Sequence, residues 1–460
     1  MIIKNLGPIE NLELELNKET IFIGKNNSGK TYVSYLLYGV YKLFNSKGKL
    51  FIKEYIENEL NKTNEISYIE ISRDALLKFV KTRFLQYINE NINKELPKIY
   101  NLPESLFLNT QIVIEEKDLI LVDENYKYHT EFKKLGRSII EQNVDLEIDV
   151  NYKEPCFDTF TSIFLKRGEE VGNKELELLN EAVDISEEIK HKYILLGITQ
   201  IYNQIYFKGP ELYYIPAERN GINVFMKELV NKRFNTTFDF MFNDDNDDND
   251  SDVPTYPLPI SDYMKYVNTI SNTIKSRNRR SRGFSDLKKQ LQNKFSSNLL
   301  KGSYEYKEDL NEYYYIQNES VSVPLKSTSS SVKSLFGLES YVTKFFGRGD
   351  ILFIDEPEMN LEPKNQIEIA NILIELINCG VNIIISTHSD YLLRATTNKL
   401  LKEKIKGNDS NFVSTYYFTN EKIEKLGDLT ENDFIENFDN ANILLEKEYM
   451  SLLNDLDAME

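Results

Sequence analysis

Three short, mainly apolar runs punctuate the chain: Ile21 to Ile23, Ile351 to Ile354, and Val381 to Ile385. Runs of this kind mark strands covered on both faces, as in a parallel sheet. Helical spacing follows the first run in Val33, Leu36, Leu37 and Val40, and Pro363 to Ile377 reads as a helix after the second. Val332, Leu335, Leu338 and Val342 form a further helical stripe just ahead of the second run. Longer helical patterns occupy about 70–96, 173–206 and 260–295, with strand-like stretches near 110–131 and 145–152. A strand pair near 411–425 and a helix from Ala441 to Leu456 complete the pattern. None of the helical patterns sustains heptads long enough for a coiled-coil arm. The expectation is an α/β fold, with strand–helix units towards the two ends of the chain and a compact, mostly helical region between them.

The polar knot after the first apolar run carries chemistry. Gly24-Lys25-Asn26-Asn27-Ser28-Gly29-Lys30-Thr31 fits the phosphate-loop pattern without a mismatch. Glycines let the backbone bend so that successive N–H groups point at phosphates, and the positive end of the following helix helps to hold them. Lys30 then reaches the β- and γ-phosphates, and the Thr31 hydroxyl is a ligand for Mg²⁺. The plainer reading is a strand-to-helix turn with a solvent lysine. A strand before, a helix after and the full-length match all favour the phosphate loop.

The second apolar run ends in two acids, Asp355 and Glu356. Asp355 is the candidate Mg²⁺ ligand, directly or through water, and Glu356 is placed to orient and deprotonate the attacking water. The third run leads to His388, one of three histidines with His129 and His191. At the end of a central strand it either donates to a γ-phosphate oxygen or merely caps the next helix.

Composition narrows the class. At 460 residues the chain exceeds one ordinary core, so two lobes are expected. A net charge of −18 and a pI of about 4.9 oppose general coating of nucleic acid. Cys156 and Cys379 are the two cysteines, too far apart in sequence to suggest a disulfide framework or a cysteine-built zinc site. No apolar run approaches the roughly 20 residues of a membrane span. The N-terminus lacks the basic-then-apolar pattern of a signal peptide, so a cytoplasmic protein is expected.

Two charge runs stand out. Asn243 to Asp252 holds six aspartates but lacks the turn glycine and closing glutamate of an EF-hand, and reads as a solvated loop. Lys275 to Arg282 is the densest basic stretch, either a solvated helix end or a contact for nucleic acid or an acidic partner. Near the C-terminus, Asp455 and Asp457 have the letters of a metal pair without a catalytic domain around them.

"GKNNSGKT", "FIDEPEMNLEP" and "IIISTHSD", in this order, resemble the ABC-type ATPase heads of the RecF/SMC/OLD-like group. The opening "IKNLGPIENLELELNKETIFIGKNNSGKT" is similar to that group's first hairpin and strand. The resemblance implies an ATPase head split between residues 1–45 and 325–425, a mainly helical insertion over 46–324 and a helical tail over 426–460. It further implies ATP and Mg²⁺ as cofactors and a homodimer or larger homo-oligomer formed on ATP. "STSSSVKSLFGLESYV" (Ser327 to Val342) occupies the position of the signature, so Ser329, Ser330 and the helix behind them are expected to contact the nucleotide of the opposing copy. The group usually has glycine where this chain has Ser331. Gln111 and Gln86 are both open as the Q-loop glutamine. "ELYYIPAERNGI" (Glu211 to Ile222) resembles a recurrent segment of the group, with Arg219 either a site or lobe-coupling residue or an ion-pair partner of Glu218. The role implied is an ATPase passing its conformational change to a separately encoded effector, a nuclease or toxin, in an anti-phage defence module. A RecF-like end-binding repair ATPase is the alternative.

Overall fold

The structure, a computed structural model, describes residues 1–60, 73–119, 210–225, 256–272, 285–310, 312–317, 321–407, 412–419, 422–431 and 443–452. The strand-like stretches over 120–131 and 145–152, the helical pattern at 173–206, the Asn243–Asp252 and Lys275–Arg282 runs, Cys156, Asp455 and Asp457 lie outside the described residues. Two compact units make up the chain. The first comprises Met1–Gly39, Ile92–Val113 and Glu211–Glu460, and the second Val40–Asn91 and Ile114–Pro210.

The first unit opens with the hairpin β1 (Ile2–Leu6) and β2 (Ile9–Glu13) and runs into β3 (Glu19–Gly24). β4 (Gln111–Val113) joins the hairpin as its third antiparallel strand. β5 (Leu212–Ile215) follows, then an antiparallel sheet of β6 (Ser303–Lys307), β7 (Glu312–Gln317) and β8 (Val321–Pro324). β9 (Ile351–Asp355), β10 (Asn382–Thr387), β11 (Val413–Phe418) and β12 (Ile423–Leu426) complete the strands. The main sheet has six strands in the order β12-β11-β3-β10-β9-β5. All are parallel except β12, which is antiparallel to β11. Every residue of β3 and β9 is buried, which is why the sequence there reads as continuous apolar runs.

The helices are α1 (Lys30–Leu60), α2 (Arg73–Tyr100), α3 (Leu258–Asn272), α4 (Ser285–Lys294), α5 (Ser330–Ser340), α6 (Pro363–Asn378) and α7 (Asp390–Ile405). Residues 219–225 and 443–452 are also helical. α6 starts on Pro363, whose missing N–H costs nothing at a first helical position. Among the described residues, no helix is long and apolar enough to cross a membrane.

The strand expected from residue 110 is shorter than its alternation suggests. It ends at Val113, and Glu116–Leu119 forms a 3-10 turn. The Asp118 carboxylate accepts from the Glu115 backbone N–H at 2.8 Å, offering the backbone a turn in place of the ladder.

Aromatic rings fasten α1 to the sheet in the first unit. Tyr38 meets Phe353 and Tyr214 edge-on, with centroids 5.5 Å away in both cases, and Tyr214 stacks on Phe353 at 5.7 Å. The Tyr38 hydroxyl donates to Asp262 at 2.8 Å, so the ring is buried with its polar tip satisfied. In the second unit Phe44 packs edge-on against Phe84 at 4.9 Å, and Asn89 bonds both the N–H and the C=O of Ile114.

Phe353 is fully buried between β10 and β5. Phe353→Ala should lower unfolding stability by about 3–5 kcal/mol, and Phe353→Leu by about 1.5 kcal/mol or less, read from denaturant midpoints.

Candidate functional site

The parallel register brings the carboxyl ends of the central strands to one level. Ile385 of β10 lies beside Ile21 of β3 on one side and Ile354 of β9 on the other. The residues that follow each strand therefore emerge together: the Gly24–Thr31 loop, Asp355–Glu356, and His388. Ligands of open α/β sheets bind along such an edge.

The loop is built for close approach. At Gly24 φ is +132°, and a Cβ there would stand 2.0 Å from the carbonyl oxygen of Phe418 on β11, so the position admits only glycine. Asn27 adopts a left-handed conformation, φ 59°, which asparagine tolerates. Lys25, Asn26, Asn27 and Thr31 are exposed, whereas Ser28, Gly29 and Lys30 are buried. The Lys30 ammonium is folded back over the loop, donating to the carbonyls of Lys25 at 2.6 Å and Gly24 at 3.1 Å and to the Ser28 hydroxyl at 3.5 Å. Burial pulls its pKa from the ordinary 10.5 down to about 8, against the raising effect of Glu356, Asp355 and Glu358. An ammonium solvated by backbone carbonyls is ready to exchange them for phosphate oxygens.

Asp355 is buried and held by two hydroxyls. Tyr214 of β5 donates to one carboxylate oxygen at 2.5 Å and Ser386 of β10 to the other at 2.7 Å. Burial nevertheless raises its pKa to about 6, since removing a carboxylate from water outweighs the two hydrogen bonds that favour the anion. Glu356 has φ 48°, an uncommon conformation for a residue with a Cβ, and its N–H donates to the Ser386 carbonyl at 2.9 Å. Glu358 is half-buried, desolvation of its carboxylate raises its pKa, and it accepts from the backbone N–H of His388 at 2.7 Å. His388 is half-buried; burial first and the Lys30 charge second lower its pKa. The cap of α7 is Ser389, whose side chain accepts from the Leu392 N–H at 3.0 Å, so His388 is not the capping residue.

The serines sit elsewhere in the unit. Ser329 caps α5, accepting from the Val332 N–H at 3.4 Å, and lies 3.0 Å from the Ser331 hydroxyl. Ser329 and Ser330 are exposed, while Ser334 to Ser340 are buried. The hydrogen bonds of this turn run to itself and to Asn220, not to the Gly24–Thr31 loop. Gln111 is an exposed residue of β4 in the first unit, and Gln86 accepts from Arg83 at 3.1 Å in the second.

Sequence reasoning missed Tyr214, Ser386 and Glu358. The signal was a polar group at the end of an apolar run, but only the ladder, with Ser386 opposite Asp355, reveals which carboxyl it serves. Arg219 was left open; its guanidinium bonds four backbone carbonyls, described below. As to metal, no group of three or more His, Cys, Asp or Glu side chains among the described residues could hold an ion. Thr31 and Asp355 offer one hydroxyl and one carboxylate, and such a donor set suits a cation such as Mg²⁺, which takes one or two protein ligands and completes its shell with water and substrate phosphates.

A glycine-rich loop between a buried parallel strand and a helix, facing an acidic strand end, defines an α/β nucleotide-binding protein. The chain matches the AAA ATPase domain family over residues 1–393 and belongs to that family; it is an ATPase. No curated protein matches the sequence. Similar solved structures include two SMC heads. One is the SMC head bound to the C-winged helix domain of ScpA, at 12% identity and a TM-score of 0.22, covering 36% of this chain and about half, 47%, of that one. The other is the Smc head domain with an extended coiled coil bound to the C-terminal domain of ScpA, derived from Pyrococcus furiosus. It matches at 11% identity and a TM-score of 0.31, over 97% of this chain and 98% of that one. Likenesses this weak carry no functional conclusion.

The raised Asp355 pKa has a consequence for stability. Between the ordinary 3.8 and about 6, the unfolded chain has released this proton while the folded chain retains it, so folding stability falls as pH rises through that window. The gap corresponds to about 3 kcal/mol. Asp355→Asn should therefore stabilise the nucleotide-free protein by up to about 3 kcal/mol at pH 8, with the gain vanishing near pH 4, measured by thermal or denaturant unfolding across pH.

Proposed function

We propose that this ATPase binds Mg²⁺-ATP on the Gly24–Thr31 loop, hydrolyses it with Glu356, and closes on a second copy of itself as ABC-type heads do. The observation that carries the reading is the convergence of Lys30, Asp355, Glu356 and His388 at the carboxyl ends of β3, β9 and β10. Backbone N–H groups from Asn26 to Gly29 receive the phosphates, and Lys30 leaves the Gly24 and Lys25 carbonyls for the β- and γ-phosphate oxygens. Thr31 and Asp355 would hold the Mg²⁺, which when bound offsets phosphate charge. Glu356, beside Asp355 and open on one side, orients and deprotonates the attacking water. His388 donates to a γ-phosphate oxygen. Its backbone tie to Glu358 supports that placement, because it links the histidine to the same loop that carries Glu356.

The exposed Ser329 and Ser330 support the dimer. Their hydroxyls and the α5 N-terminus are exposed donors, and a second copy's nucleotide is an anion that such a turn suits. The biological reading rests on the motif resemblance. It is a cytoplasmic ATPase of an anti-phage defence module that hands its conformational change to a separately encoded effector, with docking on the insertion over 46–324. A RecF-like DNA-end ATPase, contacting nucleic acid through Lys275–Arg282, is the alternative. Recovery of a co-expressed operon partner with the tagged chain, in an ATP-dependent manner, supports the former; salt-sensitive binding to DNA ends alone supports the latter.

Two experiments test the chemistry. Lys30→Ala should abolish nucleotide binding or turnover, whereas Glu356→Gln should bind ATP and lose about 10²-fold or more in phosphate release. Full turnover in Glu356→Gln would remove the role assigned to it.

Geometry is tested separately. Glu356→Gln with Mg²⁺-ATP should shift from monomer towards dimer or a larger assembly in light scattering, and adding Ser330→Arg should reverse the shift. A chain that hydrolyses ATP while staying monomeric throughout would mean that each copy completes its site alone.

A further inference from the structure

Arg219 is one of the largest fully buried side chains of the described residues, with 2% of its surface exposed. A buried guanidinium is tolerated only when its donors are satisfied. Here the acceptors are backbone carbonyls on three separate segments. One terminal nitrogen donates to Pro216 at 3.0 Å and to Asp355 at 2.8 Å, and the other donates to Glu356 at 2.6 Å. The Nε–H donates to Ser334, in the second turn of α5, at 3.0 Å. One rigid planar group thus grips both the acidic end of β9 and the helix whose exposed end carries Ser329 and Ser330.

The surroundings make this a mechanical link rather than a local brace. Residues 219–225 are helical and lie along the start of α5, with Asn220 donating to the Ser330 carbonyl at 3.4 Å and Asn223 to the Lys333 carbonyl at 2.9 Å. Tyr263 donates to Asn223 at 3.0 Å, and Tyr266 to the Gly337 carbonyl at 2.9 Å. The 219–225 helix and α5 therefore form one hydrogen-bonded body. Its contacts with the β9 end through the guanidinium include the carbonyl of Glu356, a residue already in a left-handed conformation. A change in the Glu356 backbone must either break the 2.6 Å bond or move the body that bears the serines. Lysine would not replace this fork, because a point-like ammonium cannot span the same planar set of acceptors.

We infer that Arg219 is a positioning residue that transmits the nucleotide state of the Asp355–Glu356 strand end to the Ser329–Ser331 turn, and so sets whether that turn is presented to a second copy. The inference rests on the proposed reading that Glu356 meets the γ-phosphate and the serines face a partner. Amide hydrogen exchange at a protein concentration too low for ATP-driven assembly separates the two, because it then reads the α5 turn in a single chain. In the full-length Glu356→Gln protein, Mg²⁺-ATP should change exchange across residues 329–338. Adding Arg219→Gln should abolish that change and Arg219→Lys should diminish it, with affinity for a fluorescent ATP analogue kept within about threefold and ATP-driven assembly weakened by about tenfold or more. An Arg219-dependent exchange change in a protein that stays monomeric would uphold the link while removing the dimer. An exchange change undiminished in both variants, or none in the parent, overturns it. Loss of nucleotide binding in both variants also overturns it, since Arg219 would then be a support of the site rather than a link from it.

Discussion

The parallel pairing of β3 with β10 and β11, and of β10 with β9, is the constraint on which the rest depends. Strands in a parallel ladder end at a common level, and here they carry different chemistry at that end: a glycine-containing loop, a pair of acids, a histidine. The pairing also fixes the loop's shape. Phe418 lies opposite Gly24 in register, and its carbonyl occupies the space that any side chain at Gly24 would need. A sheet slipped by one residue would turn Asp355 away from Ser386 and put the apolar faces of β9 and β10 out of phase with their covering layers.

Burial then gives the site its electrical character. Lys30, Asp355, Glu358, His388 and Arg219 are all displaced from their ordinary pKa in the direction that desolvation dictates, and in each case burial is the largest cause. These groups are therefore held partly out of water, and protein dipoles take the place of hydration. Hydroxyls from Tyr214 and Ser386 and carbonyls from Gly24 and Lys25 satisfy them only in part. Under the proposed reading, a polyphosphate with a divalent cation supplies the complementary charges.

Much of this was legible in the sequence. The continuous apolar runs of β3, β9 and β10, the glycine spacing of the loop and the serine cap ahead of α5 all follow local rules, and each lies where those rules put it. The reading failed where a nonlocal or competing bond decided the outcome. The strand from residue 110 stops at Val113 because Asp118 supplies a turn. Nothing local marks Tyr214; only the pairing of β5 with β9 brings its hydroxyl to Asp355.

By itself, then, the sequence determined the chemistry available: a phosphate loop, two adjacent carboxylates, a histidine after a buried strand, and membership of an ATPase family. Periodicity and residue type specify these because they act within a few residues of one another. Tertiary structure alone decided who meets whom. The order β11-β3-β10-β9-β5 chose the hydroxyls that hold Asp355, and the seating of α5 beside residues 219–225 turned Arg219 from an apparent neighbour of Glu218 into a fork on four carbonyls. The physical reason is that a side chain's partners lie across strands and helices distant in sequence, and only packing brings those surfaces together.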